Sequence, residues 1–265
     1  MKIIITILSF IIGFSAISAN AIEISIAYEN KEQPPYYMGN TTAVFLEKPG
    51  IAVEMIKMLE NEIHGLKIHL KRLPWKRCIF ELKKNNIDGI FNASYKKSRL
   101  KIGWFPTRDK TRSGQVDASK RITTITYSLY CLKGKAPGWS GNNYEIFKGK
   151  IGAPLGYSIV GDLQKKGVEV EEAPSTKHNL NKLLKKRIIA AALQNVTGDS
   201  ILKADPGIFR DIVKVQPPLA TKHYYLMLSD KFVTENPEIS QEIWNKIGNI
   251  RTNKYDAIAA KYSDL

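Results

Sequence analysis

Two side chains in this 265-residue sequence are spaced so that they could clasp an anion: Ser94 and, five positions on, Arg99. A guanidinium fork matches a carboxylate bidentately, and a nearby hydroxyl can donate one bond more. The alternative is a solvated arginine closing the basic run Lys96-Lys97-Ser98-Arg99. Trp75 and the stretch Pro34-Pro35-Tyr36-Tyr37 supply aromatic faces, which bury apolar area and attract cations. Trp75 could equally pack a core, and Arg77 in the same segment could face a cleft or solvent. Gly156-Tyr157-Ser158 precedes a predicted helix, whose free N–H groups and dipole suit an anion. A plain N-cap serine has the same pattern. The run Gly156 to Val160 lacks the second glycine of a nucleophile elbow. For acid–base work the available carboxylates are Glu29, Glu171 and Glu172, and no motif assigns one of them that role. His64, His69, His178 and His223 show no metal spacing, and no phosphate-cradling glycine loop or nucleotide fingerprint is present. No cofactor is expected.

The elements that must position these groups are read from periodicity. Ile22, Ile24 and Ile26 alternate with Glu23, Ser25 and Ala27, which predicts a half-buried strand ending at Glu29. A loop rich in turn formers and aromatics runs from Glu29 to Asn40. Ile51, Met55, Leu59 and Ile63 predict a helix after Gly50, and Ile68 to Leu73 a second strand. Pro74 starts a short helix carrying Trp75, Cys78, Ile79 and Leu82; Asn85-Asn86 ends it, and Ile87 to Phe91 is a third strand. Such strand–helix alternation with short joins implies a parallel sheet wrapped by helices. Ile122 to Leu132 is a long β-favouring run, and a second alternation follows it. That alternation comprises a strand 151–153, a helix from about 158, a strand 168–170, a helix 179–186 and a strand 188–193. A strand 224–228 and two helices close the chain, with apolar faces Ile239 to Ile250 and Tyr255 to Tyr262.

Met1 and Lys2, the apolar run Ile3 to Ile17 and the exit Ala19-Asn20-Ala21 read as a secretory leader cut before Ile22. The run is shorter than the ~20 residues of a membrane span. No cysteine lies near the cut to take a lipid anchor, so a free periplasmic protein is expected. Removing 21 of 265 residues leaves 244, enough for one large domain or two lobes. Hydrophobic residues at 43% exclude a disordered chain. The formal charge of +15 falls to +14 without Lys2. Doublets such as Lys83-Lys84 and Lys185-Lys186 scatter that charge over predicted polar helix faces, so no nucleic-acid partner is expected. Cys78 and Cys131 fit either a disulfide or two buried thiols.

Taken in order, these pieces resemble the bacterial periplasmic solute-binding proteins of the polar amino-acid type, family 3, such as the lysine/arginine/ornithine-binding protein. The resemblance rests on the Pro-Pro-Tyr-Tyr loop, Pro49-Gly50-Ile51, and Asp88-Gly89-Ile90 leading to Asn92, Ser94 and Arg99. Ile151 to Gly156 and Lys254-Tyr255-Asp256 add to it. It implies an α/β, two-lobed type II periplasmic-binding fold with mostly parallel sheets and two hinge crossings near 123–126 and 218–222. It divides the chain into a lobe of residues 22–123 plus 222–265 and a lobe of residues 124–221. It also puts the two cysteines in different lobes.

By the same resemblance Arg99 grips a ligand carboxylate, Trp75 stacks on the ligand and Tyr36 and Tyr37 face it. The Tyr157–Ser158 turn offers main-chain amides. The pattern departs at Gln194 and Asn195, where the family carries an aspartate for the ligand's ammonium; Glu29 is then the candidate for that charge. The implied protein is a monomer that captures a small carboxylate-bearing ligand, an amino acid or relative, by lobe closure for an ABC-type permease. The alternatives are a ligand sensor for a membrane receptor, or an enzyme like the cyclohexadienyl dehydratases.

Overall fold

A computed structural model describes residues 21–263. The expected leader therefore lies outside the described residues, apart from Ala21. The chain begins with β1 (Ile22–Glu29), α1 (Ile51–Lys57), α2 (Leu59–Glu62) and β2 (Leu66–Leu73). Next come α3 (Trp75–Lys83), β3 (Gly89–Ser94) and the long β4 (Thr123–Leu132). A second series follows: β5 (Ile151–Pro154), α4 (Ser158–Gln164), β6 (Val170–Ala173), α5 (Thr176–Leu184) and β7 (Ala190–Gln194). The chain finishes through α6 (Asn195–Ala204), α7 (Pro206–Phe209), β8 (Ile212–Lys214), β9 (Ala220–Leu228), α8 (Asp230–Glu235) and α9 (Pro237–Ala260).

The strands form one connected sheet in the order β2-β1-β3-β9-β4-β7-β5-β6, with β8 paired to β4. Pairing is parallel between β1 and both β2 and β3, and between β5 and both β6 and β7. These are the two sets expected from strand–helix alternation. The strands joining them, β9 and β4, run antiparallel, from Thr123 opposite Tyr224 to Tyr127 opposite Ala220. Strands β4 and β9 thus join the two parallel sets, pairing over Thr123 to Tyr127 and Ala220 to Tyr224.

The local physics follows the pattern. Along β2, Leu66 and Ile68 are buried while Lys67, His69 and Lys71 are exposed. The last four residues of β1, Ile26 to Glu29, are buried on both faces: Ile26 and Tyr28 enter one apolar cluster, and Ala27 enters another with Trp75, Cys78 and Leu82 of α3. Cys78 and Cys131 are free, buried thiols in separate apolar clusters.

Three details differ from the periodicity reading. The two closing helices are one 24-residue helix, since Arg251-Thr252-Asn253-Lys254 contains no breaker. The strand expected at 168–170 runs from Val170 to Ala173. Helix α6 escapes a periodicity reading because Gly198 sits inside it; a Cβ there would meet the Tyr130 ring at 2.6 Å.

One buried cation ties the first half together. Arg72 is 2% exposed and lies in inward register with Leu66, Ile68 and Leu70. It has no carboxylate partner among the described residues. Instead it donates to the carbonyls of Glu29 (3.4 Å), Met38 (2.8 Å), Gly39 (2.5 Å) and Ala43 (3.4 Å). Truncation in Arg72→Ala leaves these carbonyls without their donor and opens a void. A loss of about 3 kcal/mol or more in urea unfolding is expected; a loss under about 1 kcal/mol would contradict this role.

Candidate functional site

Where the strands of the two halves end, their exits enclose a polar cavity of about 230 Å³. From the first half come Glu29 at the end of β1, Gln33 and Tyr37 from the loop behind it, and Trp75 at the start of α3. Asn92 and Ser94 of β3, Arg99 just beyond, and Tyr224 of β9 complete that side. The second half contributes Tyr157, Ser158 and Gln194.

Arg99 is only 8% exposed, so the reading as a solvated surface arginine does not hold. Its Nη1 donates to the Ser94 carbonyl (2.7 Å) and hydroxyl (3.1 Å), and the guanidinium lies 5.3 Å from the Trp75 ring centroid. No carboxylate pairs with it among the described residues, and Nε and Nη2 meet no protein acceptor. Burial pulls its pKa down, with Tyr224, Tyr127 and Asp162 opposing that shift, yet a guanidinium stays charged. Asn92 supports the same end of the cavity. It has a positive φ of 59° at a register shift between β3 and β9, and its Oδ1 accepts from Thr123 (2.6 Å). Its Nδ2 is buried without an acceptor. An oxygen-bearing anion would satisfy both donors.

The opposite charge is Glu29, 6% exposed. Its Oε2 accepts from Tyr157 Oη (2.5 Å), Gln33 Nε2 (2.9 Å) and Tyr37 Oη (3.3 Å). Burial pushes its pKa up to about 7, while the three donors and the charge of Lys31 limit the rise. The tyrosine donors stay protonated, because burial raises the pKa of Tyr157 and Tyr37 well above 10. The cavity thus holds a buried cation and a buried acid, neither in an ion pair with a protein group among the described residues.

The second half closes over them through one turn. Gly156, at φ +76°, brings the backbone so near α3 that a Cβ would lie 3.1 Å from Lys76 Cγ and 3.5 Å from Trp75 Cδ1. Its N–H donates to Glu172 Oε2 (2.5 Å). Tyr157 then reaches across to Glu29 and Gln33, which also donates to the Tyr157 hydroxyl. Ser158, 2% exposed, accepts from Lys222 Nζ (2.9 Å). Asp162 on α4 pairs with Lys222 and lies 3.9 Å from Lys96 of the first half, forming a charged seam beside the cavity.

Nine of the candidates read from the sequence line the cavity, and three do not. Arg77 projects from α3 opposite the face of Trp75, Cys78 and Leu82, pairs with Glu81 and covers Phe80. Helical spacing from Trp75 already carries position 77 away. Tyr36 is buried core, its hydroxyl donating to the Thr124 carbonyl (3.3 Å). Asn195 begins α6 outside the lining, with Oδ1 buried and unpartnered. Glu171 and Glu172 also lie outside; Glu171 pairs with Lys182 (2.7 Å). The sequence reading missed Gln33 and Tyr224. Gln33 carried no signal beyond standing in the aromatic loop, and Tyr224 was read only as part of a strand. Gln194 faces the cavity with Nε2 donating to Tyr127 Oη (3.1 Å), which is 2.6 Å from Tyr224 Oη.

Over residues 24–264 the sequence matches the bacterial extracellular solute-binding proteins, family 3. The chain belongs to this family. No curated protein matches the sequence at a significant level. Among solved structures the chain is similar to a histidine kinase sensor domain that itself resembles periplasmic binding proteins. That match has a TM-score of 0.69 at 16% identity and covers 91% of this chain and 96% of the other. An ancestral arginine-binding protein bound to arginine matches with a TM-score of 0.68 at 18% identity, over 91% and 98%. The arginine-, lysine-, histidine-binding protein ArtJ from Geobacillus stearothermophilus matches with a TM-score of 0.68 at 15% identity, over 92% and 96%. This solute-binding protein has the two-lobed type II periplasmic-binding fold. No helix among its described residues is long and apolar enough to cross a membrane.

The acid in the cavity makes a stability test possible. An unfolded chain releases the Glu29 proton near 4.5, the folded one only near 7. Between these values the native state holds the extra proton, so its stability falls as pH rises and the loss is complete above about 7. That difference amounts to roughly 3 kcal/mol. Urea unfolding should therefore show Glu29→Gln gaining on the unsubstituted protein by about that amount between pH 4.5 and 8. Parallel pH profiles for the two proteins would contradict the assignment.

Proposed function

We propose that this family 3 protein is a periplasmic binding protein for a small zwitterion, an amino acid or a close relative. The ligand's carboxylate pairs with Arg99, assisted by Ser94 and Asn92, and its cationic group meets Glu29. The lobes, residues 22–123 with 222–265 and residues 124–221, close by bending where β4 and β9 cross, and the captured solute passes to an ABC-type permease.

The observation that carries this reading is Arg99: a buried guanidinium on a cavity wall, with half its fork free and no carboxylate in reach. Leaving a charge buried and unpaired costs several kcal/mol, so an anion that enters is held strongly. Glu29 supports a zwitterion over a plain acid, because all three of its protein donors end on Oε2. Its Oε1 remains for an ammonium. Arginine bound to one of the similar structures, and the arginine, lysine and histidine that another binds, agree with this class.

A membrane sensor would use the same cavity and closure, as the similarity to a sensor domain illustrates. The two readings differ only in what docks on the closed form. An enzyme would have to use Glu29, the one cavity carboxylate; its role as a triple hydrogen-bond acceptor fits binding better than proton delivery.

A thermal-shift screen of amino acids, di-acids and small peptides identifies the ligand by the stabilisation that binding confers. With that ligand, calorimetry should show at least about tenfold weaker binding by Arg99→Ala, the loss of one charge-assisted pair. Unchanged affinity would remove Arg99 from the site and overturn the reading.

A further inference from the structure

The space between the halves is subdivided. Beyond the cavity lies an outer crevice of about 670 Å³, also running between the halves. Lys31, Glu32 and Asn40 border it on one side; Thr176, Lys177 and Thr197 are among the residues that border it on the other. Tyr157 is the single residue that lines both spaces. Its hydroxyl is anchored by Glu29 Oε2 at 2.5 Å and by the Gln33 amide, so the ring is held as a partition. On the far side Thr197 is 4% exposed, and its Oγ1 has no hydrogen-bond partner. The outer space thus offers charged groups (Lys31, Glu32, Lys177) and one unpaired hydroxyl on the side of the ring away from the inner cavity.

We infer that Tyr157 sets the length of the ligand. Resting on the proposed capture of an amino-acid-type solute, the inference is that the inner cavity accepts compact α-amino acids and that the Tyr157 ring denies longer side chains the outer crevice. The empty space of the inner cavity, about 230 Å³, is about a third of the outer crevice's. A long basic side chain would have to displace the tyrosine, break its bonds to Glu29 and Gln33, and leave Glu29 with fewer donors. This chain would then differ in specificity from the arginine-binding structures it resembles in fold, through one aromatic residue contributed by the second half. Removing the ring joins the two spaces and gives an extended side chain the unpaired Thr197 hydroxyl and the Glu32 carboxylate.

Calorimetry and thermal shift with glycine, L-alanine and L-serine as compact probes, and L-ornithine and L-arginine as long ones, test this on the full protein. The unsubstituted protein should respond to at least one compact probe and not to arginine. Tyr157→Ala should bind arginine at least about tenfold more tightly than the unsubstituted protein does, the low end of what pocket size discriminates. Tyr157→Phe keeps the ring and should stay blind to arginine, which separates the partition from the hydrogen bond. Circular dichroism of both variants confirms that they fold. Arginine binding by the unsubstituted protein, an arginine-blind Tyr157→Ala that still takes a compact probe, or an equal gain in Tyr157→Phe would each overturn the inference while leaving the capture of amino acids standing. Silence of all three proteins toward every probe would overturn the capture reading and the inference with it.

Discussion

The interaction on which the site depends is an incomplete one: the Arg99 guanidinium, buried beside Trp75 and held by Ser94, faces no carboxylate. Folding does not normally leave a charge in that condition, because desolvation is expensive unless a partner compensates it. The rest of the cavity is arranged so that the partner arrives from outside. Asn92 is turned by a strand irregularity to bring an unused amide donor to the same wall. Glu29 supplies the opposite charge from the next strand exit, tempered by three hydrogen bonds and more weakly by the charge of Lys31. An acid and a base kept apart in one small space form a template for a zwitterion.

Closure has its own chemistry. The second half brings no ionised group into the cavity, only Tyr157, Ser158 and Gln194. It is drawn to the first half by a close backbone approach at Gly156, by the tyrosine's bond to Glu29 and by Asp162 facing Lys96 and Lys222. In these ion pairs Lys96 and Lys222 are largely buried, so their desolvation offsets much of the attraction to Asp162. The buried bond to Glu29 and the ligand itself must carry most of the preference for the closed arrangement. In the proposed reading Glu29 serves two tasks at once, accepting from Tyr157 of the second half and accepting from the ligand.

Much of this could be read before any coordinates. Alternation at Ile22, Ile24 and Ile26, and at Leu66, Ile68 and Leu70, located the central strands because burial on a pleated sheet has a period of two. Ser94, Arg99 and Trp75 were legible because they stand where the resembled family carries its carboxylate-gripping arginine and stacking aromatic. What stayed hidden was set by tertiary contact. Arg72 reads as one more basic residue, although its register places it inward; only four backbone carbonyls gathered from distant segments explain it. Gln33 and Tyr224 reach the cavity through a loop path and a crossing strand that no local pattern specifies. Arg77, open between cleft and solvent in the sequence, lies on the exposed side, since the helix that buries Trp75, Cys78 and Leu82 turns position 77 outward.

The most direct measurement is a crystal structure of the protein with whichever amino acid raises its melting temperature most. The account predicts a ligand carboxylate oxygen about 2.7–2.9 Å from the Arg99 guanidinium, in the space between Trp75 and the Ser158 turn. A ligand bound elsewhere, or an Arg99 that turns instead to a carboxylate of the protein, would contradict it.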